Sequence, residues 1–260
     1  MSKVDLTGKV ALVTGGSRGL GKAMVQAFAD AGASVAIVSR KVEACEELAS
    51  QLTPHGVEAR AYACHVGRWN EIEPLVDKVY GDFGKVDILV NNAGMSPLYP
   101  SLEEVTEANF DSVMGVNFKG PFRLTALVGG RMHRGSGGSI INISSIASLR
   151  GSPLALPYAG AKAGLNALGW GFAAAFAPNV RVNTIAVGSF GTDVAEHWRD
   201  PPDHDKPGYT IGGRRIGRPD EIMGAALYLA SDLSSFTNAQ ILRVDGGEIV
   251  GALPLPAPQR

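Results

Sequence analysis

Short runs rich in β-branched residues alternate with longer helical patterns along nearly the whole chain. Strands separated by helices of this length are joined by βαβ crossovers, so the alternation predicts a parallel sheet with helices on both faces. The predicted strands are residues 10–14, 34–38, 57–64, 86–90, 139–143, 180–185 and 240–244, and the predicted helices are residues 20–31, 42–52, 72–82, 106–131, 157–176 and 219–230. The sequence therefore predicts one α/β domain with a doubly wound sheet of seven strands.

The domain organisation follows from the absence of repeats, low-complexity blocks and interdomain linkers. A length of 260 residues is normal for one α/β domain, and we predict that residues 1–252 form it. Residues 193–215 are rich in proline, glycine, histidine and charge, which predicts either a substrate loop over the sheet edge or a surface excursion. The proline-rich residues 253–260 predict an extended tail.

Charge and cysteine content argue against several classes of protein. A formal net charge of −1 gives no electrostatic footprint for nucleic acid or an anionic membrane. The only cysteines are Cys45 and Cys64, so no disulfide framework is implied and a reducing compartment fits. The amino terminus lacks the apolar core of a signal peptide, and no apolar run is long enough to span a bilayer. The predicted location is the cytoplasm.

A glycine-rich loop connects the first predicted strand to the first predicted helix. It consists of Thr14, Gly15, Gly16, Ser17, Arg18, Gly19, Leu20 and Gly21. Glycines in this position allow a tight turn and let backbone N–H groups approach a pyrophosphate at a helix N-terminus. Such a loop alone is often only a turn, but between strand one and helix one it predicts dinucleotide binding.

The second predicted strand ends without the acidic residue that NAD-preferring folds usually place there for the ribose 2′-hydroxyl. Ser39 offers a hydroxyl instead, while Arg40 and Arg18 offer planar guanidinium groups suited to a 2′-phosphate. Either arginine alone could be a solvated loop residue. Two cations with no carboxylate favour NADP(H) as the cofactor.

Tyr158 and Lys162 are four residues apart in a predicted helix. This spacing places the phenol and the ammonium on one helix face, where the positive charge favours the phenolate. Many ordinary helices have the same spacing, so the pair predicts acid–base chemistry only together with the other motifs.

These motifs resemble the short-chain dehydrogenase/reductase family over essentially the whole chain. The matching segments are the T-G-x-x-x-G-x-G loop, Asn91-Asn92-Ala93-Gly94, Val116-Asn117-Phe118-Lys119-Gly120, Ile141-Asn142-Ile143-Ser144-Ser145 and Tyr158-x-x-x-Lys162. The resemblance implies a single-domain Rossmann fold and an oxidoreductase that uses a nicotinamide cofactor.

The resemblance also implies a catalytic site of four residues. Tyr158 would protonate the alkoxide that develops when hydride reaches a carbonyl, or take the proton in the reverse reaction. Lys162 would lower the pKa of Tyr158 and hydrogen-bond the nicotinamide ribose. Ser145 would hold the substrate oxygen; Ser144 competes for this role, but the family spacing to Tyr158 favours Ser145. Asn117 would shape the long helix and anchor a water that links Lys162 to solvent.

Cofactor contacts are implied in several segments. The implied residues are Gly15, Ser17, Arg18, Gly19, Leu20, Gly21, Ser39, Arg40, His65, Val66, Asn92, Ala93, Gly94, Tyr158, Lys162, Gly188, Phe190 and Thr192. Two segments depart from the family pattern. Val187-Gly188 replaces the usual Pro-Gly, which relaxes a backbone restraint. His65 replaces the usual aspartate beside the adenine, where it could contact the base or be a plain surface histidine.

The second half of the helix over residues 157–176 is apolar nearly all round and has no charged residue after Lys162. Such a helix is normally buried on both sides, so one side is expected to cover the sheet and the other to meet a partner. Relatives in the family bury this helix in a four-helix contact. The resemblance therefore implies a homodimer or homotetramer.

The predicted function is an NADP(H)-dependent oxidoreductase that interconverts a ketone or aldehyde with an alcohol, mainly in the direction of reduction. The alternatives are an oxidative sugar-alcohol or hydroxysteroid dehydrogenase that uses NADP or NAD, and a nucleotide-sensing protein without turnover. No catalytic metal is predicted, because no Cys or carboxylate cluster has ligand spacing.

The expected pocket suggests a medium-sized, mostly apolar carbonyl compound as the substrate. Its expected lining, besides the loop over residues 193–215, is Met95, Ser96, Pro97, Leu98, Leu149, Ser152 and Leu154. No basic cluster marks an acyl-carrier partner, although Arg150, Arg199, Arg214 and Arg215 could be recruited.

Overall fold

A computed structural model describes residues 4–52, 56–192 and 215–250. The described residues form one seven-stranded sheet in the order β3-β2-β1-β4-β5-β6-β7, and every pairing is parallel. The strands are β1 Val10–Thr14, β2 Ser34–Ser39, β3 Ala59–Ala63, β4 Ile88–Asn91, β5 Gly138–Ser145, β6 Val180–Val187 and β7 Ile241–Val244. The predicted doubly wound α/β fold is confirmed.

Helices cover both faces of the sheet and enclose two cores. Helices α1, α2 and α8 bury apolar residues on one face, and α3, α5 and α7 do so on the other. The helices are α1 Gly19–Asp30, α2 Glu43–Leu52, α3 Trp69–Phe83, α4 Glu107–Met114, α5 Gly120–Arg134, α6 Ala147–Arg150, α7 Leu156–Phe176 and α8 Met223–Ala230. The central strands β1, β4 and β5 are almost wholly buried, as expected for a parallel sheet covered on both sides.

The long helix predicted over residues 106–131 differs in detail from the observed one. It is α4 followed directly by a π-helical turn, Gly115–Lys119, and then by α5, which ends at Arg134. A π turn shifts the apolar pattern by a single residue, and an irregularity of that size is too small to be recognised from apolar spacing alone. The predicted long helix is confirmed as one unbroken helical run, and the π-helical turn within it was not predicted.

Several other boundaries were also wrong. β3 is shorter than predicted, β5 and β6 run two residues further, and α3 begins three residues earlier. The predicted helix over residues 219–230 begins as a 3₁₀ turn, Pro219–Ile222, before α8. Apart from Arg215, the predicted loop over residues 193–215 lies outside the described residues, as does the tail over residues 253–260.

The strand order reverses between β1 and β4. In open α/β sheets a ligand binds in the crevice at the carboxyl ends of the strands where this reversal occurs. The glycine-rich loop follows β1 there, and Asn92 to Gly94 follow β4. The topology therefore brings the two predicted cofactor segments to one crevice.

Helix α7 covers β5 and β6 with one face and leaves the other open. The side chain of Trp170 is 53 % exposed on that open face, and the exposed positions around it are mostly alanine and glycine. Within the described ranges, no helix combines the length and apolar character required to cross a membrane.

Candidate active site

The glycine-rich loop leaves no room for side chains at two positions. A Cβ on Gly21 would lie 2.0 Å from the Gly15 carbonyl oxygen, and one on Gly15 would lie 2.9 Å from Asn92 Nδ2. Gly15 also has a φ of 62°, in the left-handed region that favours glycine. The first turn of α1 is therefore packed against its own loop, and the N–H groups of a first helical turn are the ones that can bind a phosphate.

Asn92 braces this loop from the neighbouring strand. Its Nδ2 donates to the carbonyl oxygens of Thr14 at 2.9 Å and Gly15 at 3.1 Å. The Thr14 hydroxyl in turn accepts from the backbone N–H groups of Asn92 and Ala93 and donates to Val90. The side chain of Asn92, a predicted cofactor contact, is thus engaged in holding the loop.

The end of β2 contains the predicted 2′-phosphate site. Arg40 and Arg18 are exposed, and Ser39 hydrogen-bonds the backbone of Lys41. Beneath them lies the buried thiol of Cys45, whose pKa is raised by burial and lowered to a lesser extent by side-chain hydrogen bonds with Ser39 and Ser17.

Tyr158 and Ser145 lie beside each other. Burial raises the pKa of Tyr158, and a side-chain hydrogen bond with Ser145 opposes that rise. Ser145 Oγ accepts the Ala147 N–H at 3.1 Å, which leaves its own proton to donate. Ser144, the competing candidate, is only 1 % exposed and its hydroxyl contacts Ser148 and the Lys162 carbonyl. The geometry brings Ser145, not Ser144, to the phenol.

Lys162 lies one helical turn after Tyr158 and is 3 % exposed. Its Nζ is 5.7 Å from the centre of the Tyr158 ring and donates to the Ile143 carbonyl at 2.8 Å. Burial lowers the pKa of Lys162 to about 8. The pKa of Tyr158 is raised overall, because burial of the phenol is the dominant cause. The family resemblance implies the opposite shift, a pKa lowered by Lys162.

Asn117 lies in the π-helical turn and faces the same crevice. Its side chain bonds both backbone groups of Met95 and the carbonyl of Val113. A Cβ on Gly94 would lie 3.0 Å from Asn117 Oδ1 and 3.6 Å from Lys162 Nζ. Because residue 94 is glycine, the floor of the crevice stays open next to the side chains of Asn117 and Lys162, two predicted catalytic residues.

The segment after β6 has a restraint that sequence reasoning missed. The Ser189 N–H donates to Glu248 Oε2 at 2.8 Å, and the other carboxylate oxygen of Glu248 is 3.2 Å from Arg150. A Cβ on Gly188 would lie only 2.8 Å from both Asp245 Cα and Glu248 Oε2. Glu248 thus holds the segment that lacks the usual proline. It lies just after the Val-Asp-Gly-Gly motif, but no spacing rule singles it out.

Two predicted contacts in this segment have different environments. Phe190 is 7 % exposed, and its ring packs where a Cβ on Gly217 would be, so only its backbone is available to a ligand. Thr192 reaches the glycine-rich loop, since its methyl carbon would lie 3.2 Å from a Cβ on Gly19. The segment therefore meets the glycine-rich loop across the crevice.

His65 is half-buried after β3 and is turned back on its own loop. Its Nδ1 accepts the Gly67 N–H at 3.2 Å, and its backbone N–H donates to Glu71. The neighbouring residue Val66 is buried against the start of α5. The ring is thus fixed with Nε2 as its free nitrogen. Elsewhere in the described residues, no three His, Cys, Asp or Glu side chains form a group able to hold a metal ion.

Comparison with known proteins agrees with this geometry. The family profile described as short chain dehydrogenase matches residues 9–203. The chain is 37% identical over 243 residues to D-threitol dehydrogenase of Mycolicibacterium smegmatis, covering 93% of each chain. It is 34% identical over 246 residues to the 3-oxoacyl-[acyl-carrier-protein] reductase of Thermotoga maritima, covering 94% of this chain and 99% of that one.

A solved structure is similar over its full length. It is a proposed NAD(P)-dependent gluconate 5-dehydrogenase from Beutenbergia cavernae with NADP bound at low occupancy. The TM-score is 0.88 at 29% identity, over 96% of this chain and 100% of that one.

The chain belongs to the short-chain dehydrogenase/reductase family. It is accordingly an oxidoreductase that acts on CH–OH groups or the corresponding carbonyls with a nicotinamide cofactor.

Proposed function

We propose that the protein is an NADP(H)-dependent oxidoreductase that reduces a ketone or aldehyde to an alcohol. The observation that carries the chemistry is the placement of Tyr158 beside Ser145 and Lys162, next to Asn117 and the open floor at Gly94. A protein that only senses a nucleotide has no need for a hydroxyl pair in this position. We therefore favour an enzyme over the non-catalytic alternative.

The preference for NADP(H) rests on the end of β2. Ser39 and Arg40 stand where an NAD site needs a carboxylate, and Arg18 projects from the adjacent loop. Guanidinium groups bind a phosphate with two parallel hydrogen bonds and a full charge. The similar structure with NADP bound supports this choice.

When bound, the nicotinamide cofactor would supply the hydride. The glycine-rich loop would hold the pyrophosphate, and the segment from Gly188 to Thr192, anchored by Glu248, would hold the nicotinamide end. Gly94 leaves space for the cofactor above Asn117 and Lys162. The residues therefore fit a dinucleotide along the carboxyl edge of the sheet.

The protein residues control the oxygen of the substrate. Negative charge grows on that oxygen as the hydride arrives, so hydroxyls aligned in advance stabilise the transition state more than the ground state. Ser145 would donate a hydrogen bond to the oxygen, and Tyr158 would donate its proton. The Lys162 ammonium, one turn away, would favour the phenolate that remains.

The substrate is proposed to be a medium-sized, mostly apolar carbonyl compound. Leu98, Leu149 and Leu154 are exposed around the segments that lead into the site. Arg150 is paired with Glu248 and Arg215 with Glu221, so neither is a free cation for an acidic acyl carrier. The proposed location remains the cytoplasm.

A second candidate is oxidation of a sugar alcohol or sugar acid. The similarity to D-threitol dehydrogenase and to a proposed gluconate 5-dehydrogenase favours it. The same Tyr158 would then act as the base in the reverse direction.

A substrate panel read at the NADPH absorbance separates the candidates. The purified protein is assayed with NADPH or NADH and aliphatic ketones, a reactive diketone and a 3-oxoacyl thioester, and with NADP⁺ or NAD⁺ and threitol, gluconate and simple alcohols. We expect turnover of apolar ketones with NADPH. Selective oxidation of threitol or gluconate would support the second candidate, and tight NADPH binding without any turnover would contradict both enzymatic functions.

A further inference from the structure

The hydroxyl of Tyr99 links two loops that are far apart in sequence. It donates to the Pro153 carbonyl at 2.9 Å and accepts the Leu156 N–H at 2.9 Å. Tyr99 belongs to the segment after β4, whereas Pro153 and Leu156 precede or begin α7. Both hydrogen-bonding functions of the hydroxyl are therefore used to hold one contact.

This contact supplies a cap that α7 does not provide for itself. Leu156 is the first residue of α7, and the first N–H groups of a helix have no partner within it. The N-cap residue, Ala155, has no side-chain acceptor, and the second helical residue, Pro157, has no N–H. Tyr99 thus fixes the start of the helix two residues before Tyr158.

The other end of the same segment is fixed by a catalytic side chain. Asn117 Nδ2 donates to the Met95 carbonyl at 2.8 Å, and Asn117 Oδ1 accepts the Met95 N–H at 3.3 Å. Residues 95–99, here called the 95–99 strap, are therefore held by Asn117 at one end and by Tyr99 at the other. The strap joins the helix that carries Asn117 to the helix that carries Tyr158.

We propose that Tyr99 is a positioning residue for Tyr158: through the 95–99 strap it sets where the phenol stands relative to the substrate. The proposal rests on the function proposed above. Proton donation needs the donor and acceptor oxygens within hydrogen-bond reach, so small displacements of the start of α7 slow proton transfer. Both bonds of the Tyr99 hydroxyl go to the backbone before and at the start of α7, so it acts on Tyr158 through that helix and is not one of the four catalytic residues.

The test is Tyr99→Phe, which removes the hydroxyl and keeps the ring. The matched control is Tyr228→Phe, which removes a hydroxyl bonded to Thr237 on the far side of the sheet. For both variants and the parent enzyme we would measure kcat and KM with a turned-over ketone, the solvent deuterium isotope effect on kcat, the Kd of NADPH and the thermal midpoint.

We expect kcat of Tyr99→Phe to fall about tenfold, the size expected for losing two ordinary hydrogen bonds that align a reacting group. Its solvent isotope effect should rise, because proton transfer limits the rate more, while the NADPH Kd and thermal midpoint stay close to those of Tyr228→Phe. An unchanged kcat and isotope effect in an otherwise active enzyme would overturn the proposal. A fall in kcat that is matched by equally large losses of NADPH affinity and thermal stability would also overturn it, because such a pattern indicates that the whole fold has become less stable. A parent enzyme with no turnover would instead contradict the proposed function.

Discussion

The side chain of Asn117 is bonded on both sides to the backbone of a single residue, Met95. With the third bond, to the Val113 carbonyl, both amide protons are used within the protein. The amide cannot rotate without breaking a bond to the 95–99 strap. The Asn117 side chain therefore has a fixed orientation where it lines the crevice beside Gly94. Because Asn117 belongs to the π-helical turn, the position of that turn also determines the position of the 95–99 strap.

The first prediction concerns Tyr158. Replacement by Phe removes the proposed proton donor, so kcat should fall by about a hundredfold to ten-thousandfold, the range of a positioned general acid. NADPH binding, followed by the quenching of protein fluorescence, should be retained. NADPH consumption with a reactive diketone that survives the change unaltered would eliminate the proposed mechanism.

The second prediction concerns cofactor choice. Arg40→Asp replaces attraction by repulsion at the 2′-phosphate, so the Kd of NADPH should rise on the order of a hundredfold while that of NADH changes about threefold or less. Arg243→Asp is the matched control, because Arg243 is an exposed arginine on β7 at the opposite edge of the sheet. Equal effects of Arg40→Asp on both cofactors would rule out the phosphate site.

The third prediction concerns stability against pH. Burial lowers the pKa of Lys162 from 10.5 to about 8, so between these values the unfolded chain holds a proton that the folded chain has lost. The contribution of Lys162 to the free energy of unfolding is therefore lowest below pH 8, and it rises as the pH increases from about 8 to 10.5.

Lys162→Met removes this dependence. The thermal midpoint of the variant minus that of the parent should be largest at neutral pH and should shrink toward pH 10, measured without cofactor. Lys78→Met, at an exposed lysine, is the control. If the difference between the two thermal midpoints stays constant or grows with pH, burial does not destabilise the charged form of Lys162.

The fourth prediction concerns assembly. We propose that the open face of α7 meets a second copy of the chain, as in the predicted homodimer or homotetramer. Trp170→Glu places a charge at the centre of that face and should weaken association at least about thirtyfold, as expected for an interfacial tryptophan. Sedimentation velocity at micromolar concentration measures this, with Gln51→Glu on α2 as the charge control. A parent protein that sediments as a monomer would contradict the proposed assembly.

The sheet and the crevice could be predicted because their signals are local. Runs of β-branched residues gave β1 and β2 nearly to the residue, and the glycine spacing located the loop packed against Asn92. The four predicted catalytic residues lie together because they stand at the end of a central strand or on helices that cover the sheet. Short-range patterns contain enough information for such features.

The contacts that set the site in detail could not be predicted in this way. Tyr99 meets Leu156 across 57 residues, and Glu248 meets Ser189 across 59. Such pairs depend on how loops fold over the sheet edge, and no periodicity records them. The dominance of burial over charge in the pKa of Tyr158 was also not predicted, because the sequence shows the neighbouring Lys162 but not how far the phenol is removed from solvent.

The π-helical turn at Gly115–Lys119 limits how this site could be altered or transplanted. It accommodates one residue more than an α-helical turn, so the residues on its two sides are out of phase by about 100° relative to a regular helix. Deleting one residue there would convert the π turn into a regular α-helical turn. The resulting rotation would move either Asn117 out of the crevice or the buried face of α5 out of the core. An insertion elsewhere in the helix could not restore both the placement of Asn117 in the crevice and the packing of α5 against the core. The position of the Asn117 side chain and that of the core face of α5 can therefore change only together.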